Sequence, residues 1–79
     1  MINSCEREIR ERCIKVPGLL DEKISQFNLI LNDDSGMFDA MNLVRRSNLI
    51  KVKKAIRQER SFDDLTSCDI SEVHSILFS

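Results

Sequence analysis

Residues 45–60 read RRSNLIKVKKAIRQER, and the class of fold turns on how this stretch is spaced. Leu49, Val52, Ala55 and Ile56 recur at steps of three and four, so they share one side of a helix. Lys51, Lys53, Lys54, Arg57 and Arg60 spread over the other side, and Arg45 and Arg46 precede them. The stretch is a basic amphipathic helix. Ser47-Asn48 reads as a short turn or as the cap of this helix, which leaves Met37, Phe38, Ala40, Met41 and Val44 to a separate helix of about ten residues before it.

Working towards the C-terminus, Ser61-Phe62-Asp63-Asp64-Leu65 predicts one further helical turn capped by Ser61, with Phe62 and Leu65 reaching the core. Asp69, followed by Glu72 three residues later, predicts the cap of a last helix carrying Ile70, Val73, Ile76, Leu77 and Phe78.

Towards the N-terminus, the residues from Asn32 to Gly36 form a loop by composition. Asp33, Asp34 and Asp39 do not alternate as calcium ligands must, and no bidentate Glu follows. A helix over about 19–31 places Leu19, Leu20, Ile24, Phe27, Ile30 and Leu31 on an arc of about 140°, the core helix, with Leu29 pointing elsewhere. Pro17-Gly18 ends a first helix over about 4–16, capped by Asn3 or Ser4. Ile2, Cys5, Ile9, Cys13 and Val16 make a narrow seam of about 80° on it, and Ile14 stands alone on the far side. Glu6/Arg10, Glu8/Arg12 and Glu11/Lys15 are i,i+4 pairs that mark a solvated outer face.

These elements predict an all-α fold, a small single-domain bundle of four to five short helices over residues 1–79. At 79 residues a second independent core has no room. Two Gly and one Pro argue against a β-sandwich or a disordered chain. No apolar run approaches a membrane span, and a charged stretch follows Met1 where a signal peptide needs an apolar one, so the expected location is the cytoplasm. Three Cys without CxxC spacing, beside the single His74, do not read as a disulfide framework or a zinc site.

The net charge of -1 conceals a division along the chain. Residues 1–40 hold five basic groups against eight acidic, residues 41–60 hold seven basic against Glu59 alone, and residues 61–79 hold four acidic and no Lys or Arg. Either the acidic ends pack over the basic middle, or a basic face is left for an anionic partner.

For catalysis the chain offers few parts: His74 stands near no nucleophile motif, and Cys68 at a helix start is the one thiol that a helix dipole could activate. No phosphate loop, HExxH or GxSxG occurs, so the expectation is a non-enzyme with no catalytic residue, metal or cofactor. The surplus of apolar positions, notably Ile14, Leu29 and Ile50, predicts an interface. The expected function is a small protein-binding module, an adaptor, co-chaperone, inhibitor or regulator that occludes or scaffolds a partner protein, with homodimerisation open. Either its basic face, Arg45, Arg46, Lys51, Lys53, Lys54, Arg57 and Arg60, or the acidic groups Asp63, Asp64, Asp69 and Glu72 would steer the encounter. The alternative is a dimeric nucleic-acid-binding regulator using that same helix, since the helix before it, the Ser47-Asn48 link and the basic helix have helix-turn-helix length. Against it stand a link without Gly, few side chains suited to base edges and no aromatic stacking platform.

Overall fold

The structure, a computed structural model, describes residues 4–32 and 40–78. Four helices follow one another: α1 Ser4–Lys15, α2 Leu19–Leu31, α3 Ala40–Arg57 and α4 Ser67–Leu77. No strand occurs among the described residues, in keeping with the all-α expectation. Asn3, Ile2, Met37, Phe38 and the Asp33–Gly36 part of the loop fall outside the described residues.

The α1–α2 corner forms where Pro17-Gly18 predicts it. Gly18 has φ 85°, a left-handed conformation that costs a residue with a Cβ and costs glycine little. From there its carbonyl accepts from the Glu22 N–H at 2.9 Å and opens α2, while the Val16 carbonyl accepts from the Leu19 N–H at 3.2 Å.

The principal correction is in α3. Residues 40–57 form one helix of 18 residues, and the expected turn at Ser47-Asn48 does not exist. The local preference of Ser and Asn for turns is worth well under about 1 kcal/mol per residue. Leu49, Val52 and Ala55 are all buried on one uninterrupted stripe, and that burial outweighs it. Asn48 is carried inside with them at 3% exposure. The helix stops in a Schellman arrangement, with the Arg60 N–H donating to the Ala55 carbonyl at 3.0 Å and the Glu59 N–H to the Ile56 carbonyl at 3.1 Å. Glu59 takes the left-handed position, φ 54°, that glycine usually fills.

Residues 61–65 form a turn rather than the expected helical one, closed by the Leu65 N–H donating to the Phe62 carbonyl at 3.2 Å. Phe62 nevertheless reaches the core. Its N–H donates to Glu6 Oε1 at 3.0 Å, and the Arg10 guanidinium lies 4.6 Å over its ring. The α4 cap is Thr66, three residues earlier than expected. Thr66 Oγ1 accepts from the Asp69 N–H at 3.2 Å, and Asp69 Oδ2 accepts from the Thr66 N–H at 3.3 Å, a reciprocal capping box.

One core joins the elements: Ile9, Leu20, Leu49, Val52, Ala55, Phe62, Ile70, Val73 and Leu77. α2 packs mainly on α3, and α1 mainly on α4. The α2–α3 pair runs antiparallel, because Asp21 near the start of α2 pairs with Lys53 while Phe27, two turns on, lies beside Arg45. The last turn of α2 therefore lies opposite the first turn of α3. That end is beyond the core, and Ile30, expected inside, is exposed there.

Candidate partner-binding surface

The choice between a neutralised and a free basic face resolves residue by residue. Arg45 Nε lies 3.3 Å from Glu72 Oε1 on α4, Lys53 pairs with Asp21 on α2, and Arg60 Nη2 lies 3.6 Å from Asp64 Oδ2. Three of the seven cations are thus met by acidic side chains of the flanking segments. Arg46 is partly buried, and its Nε is shielded from water without a hydrogen bond. Lys51 faces solvent near Asp69, which it helps to keep ionised. Lys54 and Arg57 are exposed and make no ion pair among the described residues.

These last two cations flank a hollow. Ile50, Lys53, Lys54, Arg57 and Gln58, at successive helical steps on the side of α3 turned away from the core, line a groove of about 570 Å³. Lys53 and Arg57 also border a smaller hollow of about 160 Å³ that runs past Asp21 to Cys13, Gly18 and Leu19 at the α1–α2 corner. The surface is therefore a cationic trough with an aliphatic floor at Ile50.

The apolar candidates are all on the surface, Ile14 at 75%, Leu29 at 73% and Ile50 at 39% exposure. They do not meet. Ile14 lies near the α1–α2 corner, Leu29 ten residues beyond Leu19 and hence about 15 Å along α2, and Ile50 midway along α3. Six further exposed apolar residues went unrecognised in the sequence: Ile30, Met41, Leu43 and Val44 at the α2–α3 end, Val16, expected in the seam of α1, and Phe78, expected on the apolar side of α4. Their spacing looks like core, and nothing in a periodic pattern says whether another element arrives to cover it.

His74 stacks on Phe78 with ring centroids 4.4 Å apart, and its Nε2 lies 2.6 Å from Glu8 Oε2, tying α4 to α1. Burial pushes the half-buried Cys13 thiol above its ordinary value. Cys68 is exposed on the first turn of α4. Asp69 is held below the ordinary carboxylate value chiefly by the Thr66 N–H, then by the Thr66 side chain, with Asn48 and Lys51 adding to the effect. The Asn48 amide nitrogen itself makes no hydrogen bond of ordinary length and angle.

No cluster of three or more His, Cys, Asp or Glu able to hold a metal occurs among the described residues, and no helix there is long and apolar enough to cross a membrane. No family model, curated protein or solved structure matches the chain.

Proposed function

We propose that the chain is a small helical protein-binding module, of the adaptor or regulator kind, whose outer α3 face receives an acidic segment of a partner protein. The observation that carries this reading is the exposed Ile50 set among Lys54 and Arg57, two exposed cations that make no ion pair among the described residues, in a groove of about 570 Å³. Carboxylates on the partner gain from the unpaired cations, and an apolar side chain seated on Ile50 supplies affinity that charge alone does not. A phosphate backbone would use the cations and leave Ile50 idle. The continuous α3 also lacks the bend on which the helix-turn-helix reading relied.

The test compares three labelled probes by fluorescence anisotropy: an acidic helical peptide bearing one Leu, the same peptide with that Leu replaced by Gln, and a short DNA duplex. The Leu peptide should bind tightest. Ile50→Ala should weaken it about tenfold, and Lys54→Glu with Arg57→Glu should weaken both peptides by at least that much. Tighter duplex binding that falls steeply with salt and ignores Ile50→Ala would replace this reading with nucleic-acid binding.

A further inference from the structure

The cationic groove on α3 has an acidic side chain of the same molecule at its edge. Among the described residues that line the two hollows, Asp21 is the one with negative charge. It stands in the smaller hollow with Lys53 and Arg57, and its carboxylate pairs with the Lys53 ammonium. Those two cations line the larger groove as well, so Asp21 acts on both from the α2 side. Lys54, about 100° round the helix from Lys53, lines the larger groove only. The antiparallel packing of α2 on α3 fixes this arrangement, since it sets the first turn of α2 against the second half of α3.

The Lys53–Asp21 pair lies at the surface. Its side chains are 37% and 61% exposed, and an ion pair so open to water is worth little, because solvent screens it and two side chains must be held in one geometry. An arriving carboxylate therefore competes with Asp21 for Lys53 on nearly equal terms. It also meets repulsion from Asp21 wherever it approaches Arg57 along the smaller hollow. Approach from the Lys54 side avoids that repulsion.

We infer that Asp21 is a specificity-determining residue of the partner surface: it occupies Lys53 and shields Arg57 from the α2 side, so the partner's carboxylates are taken from the Lys54 side. This inference rests on the acidic-segment reading of the groove. A ligand that offers charge alone loses the larger share of its affinity to Asp21, whereas one that also seats an apolar side chain on Ile50 keeps that part.

Fluorescence anisotropy with the acidic Leu peptide and its Gln counterpart tests it. Asp21→Asn should tighten both peptides by the same factor, about two- to fivefold at low salt, and should steepen the salt dependence of both. Adding Lys53→Gln should return both affinities to near those of the unaltered chain, because the released cation is then gone. Glu22→Gln makes the same change of charge at a neighbouring exposed side chain that lines neither hollow, and should alter affinity by less than about 1.5-fold. Asp21 also lies in the first turn of α2, where a carboxylate favours the helix. A merely structural role predicts lower stability with unchanged or weaker binding, the opposite sign. Binding that Asp21→Asn leaves unchanged or weakens, tightening of the Leu peptide alone, equal tightening by Glu22→Gln, or a gain undiminished by Lys53→Gln would overturn the inference and leave the proposed function in place. Peptides that bind neither the unaltered chain nor Asp21→Asn would remove the proposed function, and the inference with it.

Discussion

Glu59 is the one described non-glycine residue with positive φ, and it sits where a helix stop selects for glycine. A side chain at φ 54° brings its Cβ against the following carbonyl at a cost of about 1 kcal/mol. Glu59 is exposed and forms no ion pair among the described residues, so nothing offsets that cost. Glu59→Gly should raise the unfolding free energy by about 0.5 to 1 kcal/mol, read from urea denaturation with the slope unchanged. A loss of stability would mean that the Glu59 side chain holds the corner after α3. Asn48 is a different kind of exception, a buried amide whose nitrogen lies near Asp69 but makes no hydrogen bond of ordinary length and angle. Its turn propensity is legible in the sequence. Its burial is not, because that depends on where α4 lands.

At the scale of the element, the start of α4 has a pH dependence whose sign follows from its capping box. The Asp69 pKa in the fold lies below its ordinary 3.8, so the ionised form is the one the fold prefers. Stability from this source is therefore present above about pH 4 and is lost as the pH falls through the lowered value. Asp69→Asn should lower the thermal midpoint near pH 7, and its deficit against the unaltered chain should shrink below about pH 4. A deficit that stays constant down to pH 2 would remove the carboxylate from the account. The helices themselves were legible where strong local signals coincide, as with Pro17-Gly18 before α2 and the 3.6-residue stripe through Leu49, Val52 and Ala55. They were misread where a local signal opposes a distant one: Ser47-Asn48 suggested a break that burial overrides, and Asp69 suggested a cap that belongs to Thr66. Of the candidate surface, the cations were legible one by one. Their pairing with Glu72, Asp21 and Asp64 was not, because it joins residues that only the tertiary fold brings together.

For the whole molecule, the thinness of the core governs what it tolerates. A chain of this length has a total stability of roughly 4 to 12 kcal/mol. Ile9 is the buried residue of α1 and has no exposed surface at all. Ile9→Ala should cost about 2 to 5 kcal/mol, enough to leave α1 loosely held, and a urea midpoint within error of the original would show that α1 is not part of the cooperative unit. Cys5 and Cys13 add partly buried packing from α1, whereas the contacts of His74 with Glu8 and of Arg12 over Phe78 at 5.1 Å are at the surface, where such pairs add little. The absence of a bend in α3 has a further result. Leu43 near the start of α3 and Arg57 at the groove lie fourteen residues apart on a single rod, about 21 Å of fixed length. α3 is then a ruler: the cations of the groove keep a fixed spacing, and a partner gains from them only if its own acidic groups are already set to match.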